Sequence, residues 1–106
     1  MKASKRKRLE QAGWRVGGLG DLLGLSKEEV ALVEMKLGLA RRLRAFRAHQ
    51  GLSQAAVAKL LGSSQSRVAK MEIGDATVSI DLLVRSLLVI GASRRDIARA
   101  IAQRAA

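Results

Sequence analysis

The stretch Leu52–Gly74, LSQAAVAKLLGSSQSRVAKMEIG, holds the side chains whose types and spacing suit a chemical task. Gln65, Ser66, Arg67 and Lys70 fall on the outward side of a short helical segment whose Val68 and Met71 are apolar. Two of the four offer neutral hydrogen-bonding groups and two are cations. That mixture is what reading base edges and holding phosphates requires. Catalysis finds no comparable set. His49 is the only His and there is no Cys, so a cluster of transition-metal ligands is missing. Ser63, Ser64 and Ser66 lack a base partner and suit turns or caps. Glu28 and Glu29 open a helix, where carboxylates complement the helix dipole. The expectation is a binding protein rather than an enzyme, with no metal and no cofactor.

These side chains need helices to position them, and the sequence marks where helices start. Ser26-Lys-Glu-Glu29 has the capping-box spacing, with Leu25 and Val30 flanking it as a hydrophobic staple. Ser53 lies between Leu52 and Val57, and Ser79 between Val78 and Leu83, in the same arrangement. Ser93 is followed by Asp96, a carboxylate in the first turn. Gly51, Gly62, Gly74 and Gly91 provide the stops. The pattern predicts helices over about 26–50, 53–61, 64–73, 79–90 and 93–104. Gly38 sits in the apolar stripe of the first and is expected to bend or divide it. The tight Gly62-Ser63 turn makes the second and third helices cross steeply. Small Ala58 permits their close approach, and Val57, Leu61, Val68 and Met71 supply the buried contacts.

The pattern L-S-Q-x-x-x-A-x-x-L-G-x-S-Q-S-x-V-x-K-x-E-x-G resembles the phage-repressor/Cro-type (Xre-type) helix-turn-helix family, over about Leu39 to Gly91. The resemblance implies an all-α, five-helix, lambda-repressor-like domain that binds double-stranded DNA. It implies that Gln54, opening the second helix, touches a backbone phosphate. It further implies that Gln65, Ser66 and Lys70 face the groove, with Gln65 suited to adenine and Lys70 to guanine or phosphate. Arg67, and Ser64 at the start of the same helix, complete the expected DNA-binding set. Glu72 would repel phosphate, so it is expected to turn inward and pair with Arg47 as a structural ion pair. A second resemblance lies upstream. The order Trp14…Leu22-Leu23-Gly24-Leu25-Ser26, followed by a long charged helix, is similar to HigA-type antitoxins, small repressors that bind and neutralise an RNA-cleaving toxin. Trp14 then has two readings, an anchor sealing the core or a toxin contact.

Composition bounds the rest. The 106 residues carry 20 Lys and Arg against 9 Asp and Glu, a formal charge of +11, so partners should be polyanionic or acidic. Apolar residues are 48 % of the chain, enough for a core and too many for a disordered polycation. No apolar run approaches the ~18 residues of a membrane span, and a cytoplasmic location is expected. Residues 1–8, MKASKRKR, form a basic arm, 9–25 an apolar, glycine-rich lead-in that packs on the domain, and 26–106 the helix-turn-helix domain. The combined expectation is a sequence-specific transcriptional repressor, the antitoxin of a type II toxin–antitoxin pair that represses its own operon. Its partners would be an inverted-repeat operator, a second copy of itself, and a small basic toxin, with no membrane. The homodimer is expected to use some of Ile80, Leu83, Val84, Leu87, Ile97 and Ile101. Alternatives are a stand-alone phage or chromosomal repressor, a basic RNA- or ribosome-associated protein, and a protein-interaction module.

Overall fold

A computed structural model describes residues 22–103 of the chain. The basic arm, Trp14 and most of the lead-in lie outside the described residues. Each helix begins where a serine hydroxyl accepts a backbone N–H that would otherwise lack a partner. Ser26 precedes α1 (Lys27–His49), Ser53 precedes α2 (Gln54–Leu61), and Ser64 precedes α3 (Gln65–Glu72). Ser79 precedes α4 (Ile80–Val89), and Ser93 precedes α5 (Arg94–Ala102). The five hydroxyl contacts are 3.0–3.2 Å long, to the N–H groups of Glu29, Ala56, Arg67, Leu82 and Asp96. Ser26 and Ser93 form full capping boxes, since Glu29 and Asp96 return a carboxylate to the cap N–H. A serine N-cap is worth about 1 kcal/mol over alanine, so five of them specify the element boundaries strongly. There is no strand among the described residues, and no helix long and apolar enough to cross a membrane.

The helices assemble around α1, which packs against α3, α4 and α5, while α2 packs against α3 and more lightly against α4. Leu39 and Leu43 of α1, Val57 of α2, Val68 and Met71 of α3, and Leu83 and Leu87 of α4 are all essentially shielded from water. Val78 joins them from the loop before α4. Leu83, Leu87 and Ile97 are therefore core residues and are not available to a second copy, whereas Ile80, Val84 and Ile101 of the same expected set stay partly exposed. The reason is enclosure: α1, α2 and α5 all contact α4, so most of its apolar sides meet neighbours within the chain. Only Leu88 and Val89 remain open on it, 48 % and 56 % exposed.

Gly38 does not divide α1, which is a continuous helix of 23 residues. It is instead the point where α5 crosses. A methyl group at Gly38 would lie far short of van der Waals contact distance from the Ala100 carbonyl oxygen, and that backbone atom cannot swing aside. The same interface is held by Arg42, which donates to Asp96 at 3.3 Å and lies 5.3 Å over the Phe46 ring. The sequence expectation of α5 running to about 104 is also shortened, because the helix stops at Ala102.

What fixes α3 against α1 is a polar clamp. Arg47 Nε donates to Glu72 Oε2 at 2.5 Å, and its Nη2 donates to Glu72 Oε1 at 3.0 Å. Arg47 Nη1 donates to the Leu52 carbonyl at 2.9 Å, and Gln54 Nε2 donates to Glu72 Oε1 at 3.1 Å. The Glu72 side chain is only 4 % exposed. Burial pushes its pKa upward, but the hydrogen bonds from Arg47 and Gln54 and the nearby charges of Arg47 and Arg44 outweigh this. The carboxyl therefore titrates below its ordinary value of 4.5.

Two expected outcomes follow from this packing. Gly38→Ala should lower the thermal midpoint even though alanine is the better helix former by ~1 kcal/mol. Overpacking a closed crossing costs about 1–3 kcal/mol, and each net kcal/mol removes about 4–8 °C from a domain of this size. Melting followed by circular dichroism reads this directly, and an unchanged or raised midpoint would contradict the close crossing. For the clamp, Arg47→Ala or Glu72→Gln each orphan a desolvated partner, a loss of about 3–5 kcal/mol when such a pair is broken on one side. The Arg47→Ala/Glu72→Gln double variant should lose less than the sum. Because the folded carboxyl has the lower pKa, its stabilisation is complete above 4.5 and disappears as the pH falls through the depressed value. Midpoints measured down a pH series should therefore fall below 4.5 in the native sequence and fall less steeply in Glu72→Gln.

Candidate nucleic-acid interface

Helix α3 has two sides of opposite character. Val68, Met71 and the clamped Glu72 face inward, and Ser86 Oγ donates to the Met71 sulfur at 3.5 Å from beneath. With that side immobilised, Gln65, Ser66, Arg67 and Lys70 all stand exposed. At 100° per residue the four spread over the outward arc of two helical turns, so they share one surface without stacking on one another. The turn that aims this arc is made at Gly62, whose φ of 62° lies in the left-handed region that costs a side chain strain. From there the Ser63 N–H bonds back to the Ala58 carbonyl at 2.8 Å, and α3 starts only two residues later at Gln65.

Two expected contact residues are partly committed to the fold. Gln54 is half-buried and spends one amide proton on Glu72, which leaves its second amide proton and its carbonyl oxygen available. Ser64 accepts from the Arg67 N–H at 3.2 Å, and its hydroxyl meets that of Ser66 at 3.2 Å. Both serines are exposed, so their remaining hydrogen-bonding capacity points to water. Gln65, Arg67 and Lys70 make no side-chain hydrogen bond to another described residue.

The structure adds two residues to the surface. Ala69 lies one turn beyond Gln65 on the same arc and is half-exposed. Its methyl leaves room beside Gln65 for an approaching group, and a contact with a thymine methyl is the kind alanine makes in a groove. The i,i+4 spacing from Gln65 was the signal for it. Arg44 is exposed on α1, close enough to lower the pKa of Glu72, and has no carboxylate within salt-bridge distance among the described residues. It shares a face of α1 with Arg47 three residues on, which the arginine-rich run Arg41–Arg47 concealed.

Electrostatically the surface is cationic. Lys59, Arg67, Lys70 and Arg44 carry no salt bridge to a described residue, and the one acid on α3 is neutralised by Arg47. Asp75 sits just past α3 as the nearest other carboxylate. It accepts from the Thr77 hydroxyl at 2.5 Å and the Thr77 N–H at 3.0 Å, and those bonds, with the charges of Lys70 and Lys36, hold its pKa below 3.8. It is engaged in its own loop, not on the arc of α3. His49 is exposed in the last turn of α1, and no cluster of three potential metal ligands occurs among the described residues.

The arrangement of two short helices packed together across a tight turn, the second presenting polar and cationic side chains, recurs in known proteins. Residues 38–100 match a family described as a helix-turn-helix domain, from Gly38 in α1 to Ala100 in α5. The match leaves out the lead-in before α1, and no solved structure matches the chain. A match over more than half of the sequence, with the turn, the packed helix pair and the outward arc all in place, means that this chain belongs to the helix-turn-helix domain family.

Proposed function

We propose that the protein is a sequence-specific transcriptional repressor in which α3 enters the major groove of an inverted-repeat operator. The helix-turn-helix domain supports a DNA-binding regulator. The observation that carries the finer reading is the unengaged, exposed set Gln65, Arg67 and Lys70 on a helix whose opposite side is locked into the core. Gln65 presents a side-chain amide that matches adenine N6 and N7. Lys70 suits guanine or phosphate, while Arg67, Ser64, Ser66 and Gln54 position the helix on the backbone.

The repressor acts as a homodimer in this reading, because one short module reads too few base pairs for useful specificity in a genome. Leu88 and Val89 support that reading as large apolar side chains left open at the end of α4. The lead-in order Trp14…Leu22-Leu23-Gly24-Leu25-Ser26 supports a more specific role as the antitoxin of a type II pair that represses its own operon. Co-expression with the product of an adjacent reading frame tests that role. Rescue of growth supports it, whereas DNA binding without rescue leaves a stand-alone repressor.

For recognition, Gln65→Ala is expected to cost about 1–3 kcal/mol on the preferred operator and to flatten the preference at one base pair. Lys59→Ala should weaken every sequence alike and lower the salt slope by about one. Gel-shift titrations on operator, random duplex and structured RNA separate these outcomes. An operator-to-random ratio untouched by Gln65→Ala, or a preference for the RNA, would overturn the assignment.

For assembly, sedimentation at micromolar concentration should show a dimer, with operator half-sites roughly 34 Å apart. Replacing Leu88 and Val89 together by Lys should yield a folded monomer. A native monomer that binds a non-repeated site would defeat the dimer.

A further inference from the structure

Beside the first half of α1 lies an open groove of 380 Å³ that DNA recognition does not use. One wall is Leu32, Val33 and Lys36 of α1, and the other is the segment leading into α4, with Thr77, Val78 and Ile80. The wall residues are predominantly aliphatic, yet Leu32 is 51 % exposed and Val33 and Ile80 are only half-buried. Further down the same helix Leu39 and Leu43 are fully covered. Among the described residues, the groove is thus where the cover over α1 stops while its apolar residues continue.

The chain carries an apolar segment just upstream of this groove. The described residues begin at Leu22, and the 21 residues before it include Leu9, Trp14, Val16 and Leu19. Trp14 lies eight residues before Leu22, a span of up to roughly 26 Å of extended chain. Leu32 and Lys36 lie only about 8–14 Å along α1 from its first residue, at 1.5 Å per residue. The reach is ample, and Gly24, at φ 70°, turns the chain immediately before the helix.

Charge selects the same place. The first half of α1 carries Glu28, Glu29 and Glu34, none of them in a salt bridge with a described residue, against Lys27 and Lys36, so its net charge is slightly negative. Its second half carries Arg41, Arg42, Arg44 and Arg47. The segment before Leu22 is basic, with Lys2, Lys5, Arg6, Lys7, Arg8 and Arg15 against Glu10 and Asp21. It is repelled by the arginine half of α1 and meets no such repulsion at the first half, whose net charge is slightly negative.

We infer that Trp14, with the apolar residues around it, docks into the groove between Leu32/Val33 and Val78/Ile80, so that the lead-in completes the cover over the first half of α1. Trp14 belongs to the fold, and the groove takes this chain's own segment rather than a partner's. The assignment stands apart from DNA recognition and does not depend on it.

Trp14 is the only tryptophan, so fluorescence of the full-length protein reports on it alone. In the native sequence its emission should be blue-shifted from free N-acetyltryptophanamide and poorly quenched by acrylamide, independent of protein concentration. Leu32→Lys puts a charge on the groove wall at a half-exposed position. It should move the emission to that of the free indole while the helical circular-dichroism spectrum is retained. Leu60→Lys, at an exposed position of α2 away from the groove, should leave the emission unmoved. Emission like free indole in the native sequence, or emission indifferent to Leu32→Lys, would overturn the proposal. A blue shift that disappears on dilution would also overturn it, by showing that a second copy supplies the occupant.

Discussion

A carboxylate at the end of a helix whose exposed side is otherwise cationic sets the central constraint of this structure. Glu72 closes α3 at the negative end of the helix dipole, where an anion is least welcome. It is also buried, so it cannot be screened by water. The fold meets both problems with one guanidinium. Arg47 reaches Glu72 with two hydrogen bonds and spends a third on the Leu52 carbonyl at the entry to α2. Gln54, the first residue of α2, closes the circuit on the same carboxylate. The end of α1, the start of α2 and the end of α3 are therefore joined at one polar point. The angle at which α3 presents Gln65 and Lys70 depends on that junction from one end and on Val68 and Met71 along its inner side. A binding surface built on side chains that are themselves unengaged needs such a rigid support, because nothing else orients them.

The parts of this arrangement that were legible in the sequence are those made by neighbours along the chain. A serine cap is satisfied three residues on, so Ser26, Ser53, Ser79 and Ser93 mark their helices without knowledge of the fold. The outward set on α3 follows from helical period alone, as does the burial of Val57, Val68 and Met71. Arg47 and Glu72 are 25 residues apart, and only the resemblance to a known family joined them. The share of Gln54 in that pair was not foreseen, because a glutamine that opens a helix can serve the fold or a ligand equally well.

The role of Gly38 as a contact point was hidden for a related reason. In a single helix a glycine signals weakness, and only the approach of the Ala100 carbonyl, 62 positions later, shows that it permits contact. The apolar circumference of α4 likewise cannot say which sides its own neighbours will cover. Leu83 and Leu87 look no different in sequence from Leu88 and Val89, yet the first two are enclosed and the last two are open. Periodicity reveals that a helix has apolar sides; topology decides how many are used.

The charge along α1 shows how one element serves the domain and its surface without conflict. Its acids lie in the first half and its arginines in the second, so each end also complements the helix dipole. The helix has 23 residues, a length of about 34 Å, whereas charges in water are screened over ~8 Å at physiological ionic strength. Glu28 and Glu29 are therefore several screening lengths from Arg44 and Arg47 and do not weaken the cationic field beside α3. A shorter helix with the same residues would bring the two signs within reach of each other and blunt both. Length here is an electrostatic property as much as a packing one. It separates the carboxylates from the arginine-rich region, on a single continuous element that Gly38 leaves unbroken.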